Sequence, residues 1–150
     1  DSRLIAKRLG SIKRQIYVSP DYLKRHGEIK SINDLERCDF LLMSNVRSSG
    51  KFSLQCENKQ HDFNVSPKLL IDDFLVLKQM VMDGLGVSIL PDYMCTNEIN
   101  NKQLVNPLPS WGMPDVDVYA LYPKHRLNIP KVKAFLDFTL SVFQDRLEKK

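Results

Sequence analysis

The nine residues "DGLGVSILP", 83 to 91, limit what this chain can fold into more than any other stretch. They set two of only six glycines one residue apart, between a helix-like run and a strand-like run closed by proline. At Gly84 the helix has to end, because a residue without Cβ takes up positive φ and lets the last carbonyls find partners. Gly86 permits a tight reversal and a close backbone approach as the chain enters Val87-Ser88-Ile89-Leu90, whose apolar character suits a strand buried on both faces. Pro91 then ends the strand and suits the first position of a helix over "PDYMCTNEI". Helix, two-glycine turn, buried strand and proline-started helix together predict an α/β layer structure.

Other segments read the same way. In "QIYVSPDYLKRHGEI", Ile16 to Val18 form a short β-prone run and Ser19 is a candidate N-cap. Pro20 suits the first helical position and Gly27 a left-handed cap, so a helix is predicted over 20–26. Ser31, followed three residues on by Asp34, approaches a capping box and predicts a second short helix. "DFLLMS" reads as a buried strand. "KFSLQC" and "HDFNVS" alternate, with Phe52, Leu54 and Cys56 facing one way and Phe63 and Val65 doing so in the second run. They predict a hairpin closed by the four residues "ENKQ". Asp72 or Asp73 caps the next helix, whose apolar arc (Phe74, Leu77 and Val81, with Leu75, Val76 and Met82 beside it) is wide enough to be covered on two sides. "LVNPLPSWGMP" is punctuated as a linker and "DVYALYP" reads as a strand. The long C-terminal helix, opening near Pro130, is apolar enough to require a packing partner.

With 43% hydrophobic residues in 150, the chain can build one ordinary core or two small lobes that share crossing segments. No apolar run approaches the roughly 18 residues that span a bilayer, and "DSRLIAKRLG" lacks the apolar centre of a signal peptide. A cytoplasmic location is therefore expected. The formal charge is +4, with the basic excess near the start (Arg3, Lys7, Arg8, Lys13 and Arg14 among others). That excess reads as a solvated face rather than a nucleic-acid stripe. Cys38, Cys56 and Cys95 are too widely spaced for a disulfide framework or a zinc knuckle and read as reduced, packed thiols. His26, His61 and His125 lack metal-ligand spacing, and neither metal nor cofactor is expected. Catalysis is not expected either: there is no nucleophile triad spacing or phosphate-cradling loop, and Gly84-x-Gly86 lacks the third glycine of a dinucleotide fingerprint.

On these residues the chain resembles the C-terminal effector-binding domain of the LysR-type transcriptional regulators. "DGLGVSILPDYM" looks like that family's helix, Gly-x-Gly, strand, Leu-Pro signature. "DSRLIAKRLG", "IYVSPDYLKRHG", "INDLERCDFLL" and "VYALYPKHRLNIPKVKAFLDF" match in the expected order. The resemblance implies a periplasmic-binding-protein-like α/β fold: two α/β subdomains joined by two crossing strands, near Ile16 to Ser19 and Val118 to Tyr122, with a small-molecule cleft between them. Residues 1–17 would end the first subdomain, 18–109 would form the second, and 110–150 would return a strand and the C-terminal helix to the first. The first subdomain would be incomplete. Family members carry an N-terminal winged helix-turn-helix, a linker helix and the opening elements of that subdomain, so the resemblance implies truncation at Asp1. It also implies a small-molecule effector, a homo-oligomer (dimer or tetramer in the full-length protein), DNA contact only through the missing winged helix-turn-helix, and no membrane. A solute-binding protein of the same fold is the alternative.

Ligand clefts in such structures are lined by strand ends and helix starts. Three places fit as effector contacts: Ser19 and Pro20 at the first helix; Met43 and Ser44 at the end of a buried strand; and Ile71, Asp72, Asp73 and Phe74 at the turn before the central helix, which resembles the family's effector-contact loop. Plain capping by Ser19 and by Asp72 or Asp73 accounts for the same residues. Two acids at the central helix favour a neutral or cationic effector.

Overall fold

A computed structural model describes residues 4–44, 50–123 and 129–147. In chain order the elements are β1 (Leu4–Tyr17), α1 (Pro20–His26), a 3-10 turn (Ile32–Arg37), β2 (Leu41–Met43), β3 (Lys51–Cys56), β4 (Lys59–Asn64), β5 (Leu69–Ile71) and α2 (Phe74–Met82). There follow β6 (Ser88–Pro91), a second 3-10 turn (Asp92–Met94), α3 (Thr96–Asn100), β7 (Gly112–Pro123) and α4 (Pro130–Leu147). One sheet has the order β4-β3-β7-β1-β6, with β6 antiparallel to β1 and β3 antiparallel to both β4 and β7, and β2 pairs with β5 in a second, parallel sheet. The chain divides into two compact units, Lys13–Pro114 on the one hand and Asp1–Ile12 with Asp115–Lys150 on the other. Both divisions fall inside a strand, β1 and β7, earlier in each than the sequence places the crossings.

The two glycines organise the larger unit. Gly84 closes α2 at φ 75°, donating to Val81 O at 3.0 Å, while Leu85 N–H reaches Met80 O at 3.1 Å. Gly86 serves a close approach: a Cβ there would stand 2.3 Å from Asp39 O. That proximity lets Val87 N–H donate to Asp39 O and Leu41 N–H to Val87 O, each at 2.9 Å, which ties the start of β2 to the entry of β6. The strand that follows is buried along its whole length, as its apolar run predicts.

Burial on both faces sorts the side chains by pleat. Ile16, Val18, Phe40, Leu42, Val87 and Ile89 point into one apolar cluster, which the hairpin β3–β4 completes with Phe52, Leu54 and Phe63. Tyr17, Leu41, Met43 and Leu90 point into the other, against Leu77 and Val81 of α2. Each fully buried aliphatic side chain stabilises by about 2 kcal/mol. Ser88, buried among them, is satisfied by donating to Leu41 O at 2.7 Å.

Several elements differ from the sequence reading. β1 runs for 14 residues, because alternate side chains along its charged first part stay at the surface while one face is covered. The hairpin turns on two residues rather than four, with Glu57 at φ 53°. The segment before α2 is not all turn, since Leu69–Ile71 pairs with β2. α2 is covered on one side only: Leu77 and Val81 are buried, but Leu75 and Val76 are 64% and 49% exposed. Pro91 stays in the strand and caps a 3-10 turn, so the expected helix over 91–99 is split into two short pieces. The proline-rich "linker" contributes to the core through Leu104 and Leu108, and its Val105 bridges Val18.

The smaller unit holds the first part of β1, the last part of β7 and α4. Arg8 pairs with Asp117 at 2.8 Å within it. Among its described residues Leu9 and Leu136 are the buried apolar side chains, while Leu4, Val116, Tyr119, Leu121, Phe135 and Phe138 are exposed.

Candidate functional site

The candidate residues all lie in the larger unit, and the structure sorts them into two groups. The first forms where β2 and β5 end side by side. Parallel pairing sets Met43 opposite Ile71, and Ser44 N–H continues the ladder by donating to Ile71 O at 2.8 Å. The carboxyl ends of parallel strands are where ligands settle in open α/β sheets, because the following helix starts there with its N–H groups free. Here that helix is α2, whose N-cap is Asp73 and not Asp72: its Oδ1 accepts from Leu75 N–H at 2.7 Å and Val76 N–H at 3.0 Å. Met43 is buried, with Ile71 and Phe74 half-buried against the same cluster, so the floor is apolar. Ser44, Asp72 and Asp73 are exposed and give a polar, acidic rim.

The second group lies at the other end of α2, about 12 Å away by helical rise. Ser19, only 2% exposed, caps α1 by accepting from Tyr22 N–H at 3.3 Å, and Pro20 occupies the first helical position. A Cβ on Gly84 would stand 3.4 Å from Ser19 Oγ, which shows how closely the end of α2 abuts this cap. Arg25 closes the joint by donating to Gly84 O at 2.6 Å. Ser19 and Pro20 line a depression of about 380 Å³ together with Met82 of α2, its C-cap Asp83, and Lys102 and Gln103 after α3. The strand-end residues do not line it. Sequence reasoning missed Asp83, Lys102 and Gln103, whose common location depends on three helix ends meeting.

Charge is otherwise spent on structure. Lys78 of α2 is hydrogen-bonded to Glu98 of α3 and to Met94 O at 3.0 Å, with both charged side chains largely buried. Burial raises the Glu98 carboxyl, but the Lys78 hydrogen bond and charge outweigh it and hold Glu98 below the usual carboxylate range. Burial pushes the Cys38 thiol up to about 11 and that of Cys95 to about 12, so both are protonated near neutrality and poor nucleophiles. Among the described residues no group of three or more His, Cys, Asp or Glu side chains is arranged to hold a metal ion.

Two α/β units joined through two strands, with a parallel strand pair ending on a helix start, define the periplasmic-binding-protein-like class of regulatory and binding domains. Residues 1–144 match the LysR substrate binding domain, and the chain belongs to that family. Among its relatives, the HTH-type transcriptional regulator PtxR of Pseudomonas aeruginosa is 29% identical over 91% of this chain and 44% of its own length. An HTH-type transcriptional regulator of Xanthomonas campestris pv. campestris is 32% identical over 94% of this chain and 42% of its own. The regulatory domain of the C227S variant of AphB from Vibrio vulnificus superposes with a TM-score of 0.80 at 27% identity, covering 94% of this chain and 72% of that one. The chain thus spans less than half the length of the curated relatives it matches. The domain is a regulatory one and not catalytic. No helix among the described residues is long and apolar enough to cross a membrane.

Proposed function

We propose that this chain is the effector-sensing part of a cytoplasmic, DNA-binding LysR-type transcriptional regulator, and that a small molecule docks at the strand-end group. The observation that carries this reading is the convergence of Met43, Ser44, Ile71, Asp72, Asp73 and Phe74 at the joint ends of β2 and β5, in a domain of this family. An apolar floor with a few convergent polar groups is the usual build of a small-molecule site. Two exposed carboxylates on the rim select a neutral or cationic effector. Ser19 and Pro20, at the far end of α2, do not share that ligand. An effector that favours one arrangement of the domain shifts its population, and the winged helix-turn-helix portion of the full-length regulator reads that shift on DNA. Oligomerisation is supported by the exposed side of α2 and the edge strand β5, where Leu70, Leu75 and Val76 lie open to a second copy.

A thermal-shift screen of metabolites tests this. A ligand at a hundred times its dissociation constant adds about 2.7 kcal/mol of stability. The expected hit is a neutral or cationic molecule whose shift disappears in Asp72→Ala and Phe74→Ala. A hit whose shift survives both changes would place the effector elsewhere.

A further inference from the structure

The depression at the far end of α2 has unspent chemistry. Lys102 and Asp83 both line it, yet among the described residues neither makes an ion pair, with the other or with any side chain. The remaining charges there are already matched: Lys24 pairs with Asp21 at 2.9 Å. Asp83, exposed at the mouth of the depression, receives one neutral hydrogen bond, from Gln79 Nε2 at 2.9 Å, and pairs with no cation among the described residues. Donors are also idle. The Gln103 amide has no side-chain hydrogen bond among the described residues, and Ser19 Oγ, almost fully buried, accepts from Tyr22 N–H while its own proton meets no described acceptor.

Lys102 adds a second, independent observation. It holds φ 58°, the left-handed cap position after α3 that glycine normally fills, with Gln103 N–H bonded to Glu98 O at 2.8 Å. That cap position sets Lys102 and Gln103 side by side on the wall of the depression. The walls are fixed by the Arg25 clamp on Gly84 and by the two helix ends.

We propose that this depression is a second ligand site of the domain, separate from the strand-end group, which takes a small zwitterion of the α-amino acid class. The ligand's carboxylate meets Lys102, Gln103 and the Ser19 hydroxyl, and its ammonium meets Asp83. One free cation and one free anion, unpaired with each other, match a molecule that carries both charges a few bonds apart. A volume of about 380 Å³ holds such a molecule with bound water.

The test is an amide-shift NMR titration of the 150-residue chain with the free amino acids, one at a time, and with the N-acetyl and C-amide forms of any that bind. Saturable shifts at residues 19–24, 79–84 and 102–104 are expected for at least one free amino acid, with the blocked forms at least about tenfold weaker. Lys102→Gly is expected to raise the unfolding temperature, by relieving the left-handed backbone, while abolishing the shifts. Asp83→Asn is expected to abolish them at unchanged stability. Shifts confined to 43–44 and 71–74 would support the effector site and overturn this one. So would equal binding of the blocked forms, undiminished binding by Lys102→Gly, or no saturable shift with any amino acid.

Discussion

Gly86 tolerates a side chain poorly, because the atom its Cβ would strike is the Asp39 carbonyl oxygen, a backbone acceptor already engaged with Val87. Gly86→Ala is expected to cost about 2–3 kcal/mol, read as a lower urea midpoint at unchanged slope. Gly84→Ala is expected to cost at least about 1 kcal/mol, since the left-handed backbone sets that penalty and the added Cβ, 2.4 Å from Arg25 Nη2, would also displace the guanidinium from Gly84 O. Both glycines are readable in the sequence because a residue without Cβ meets those demands at the least cost. The Lys78–Glu98 pair is not readable, as it joins side chains 20 residues apart on different helices. Its pH signature follows from the lowered Glu98 carboxyl. A group lowered by folding contributes stability that is fully present above its unfolded value, about 4.3, and is lost as pH falls through the folded value. Urea midpoints across that acid range should therefore drop more steeply in the wild type than in Lys78→Met/Glu98→Leu.

At the scale of elements, legibility followed local chemistry. Ser19-Pro20 with Gly27 marks both ends of α1, and the structure places it over the residues expected. β5 escaped because three residues carry no period, and its pairing with β2 is set from across the unit. The strand-end candidates were legible as residues; their meeting was not, since it depends on that pairing. The exposed side of α2 escaped for a related reason, because periodicity reports which side chains are apolar and not which of them are covered. Leu75→Glu should accordingly leave monomer stability within about 0.5 kcal/mol while shifting sedimentation or scattering toward the monomer. The hairpin offers a converse case: Glu57 holds φ 53° at the turn, and Glu57→Gly should stabilise by about 0.5 kcal/mol in the same urea titration.

For the whole molecule the two units differ in how much each buries. Two apolar clusters fill the larger one, whereas the described part of the smaller buries Leu9 and Leu136 and exposes aromatic side chains on α4. Native-state hydrogen exchange should find the slowest amides in β2, β6 and the second half of β1, with α4 opening at lower free energy. Slow exchange in α4 equal to that of β6 would contradict this. The larger unit also begins and ends at one place, where the Arg14 guanidinium donates to Pro114 O at 2.8 Å across 100 residues of chain. A ribosome adding about 5–20 residues per second needs roughly 5 to 20 s to cross that interval, so residues 1–12 wait for their partners until after the inserted unit has been made. Assembly then runs from the inserted unit outward, and the stretch of strand that leads into it settles only once the stretch that leaves it has been made.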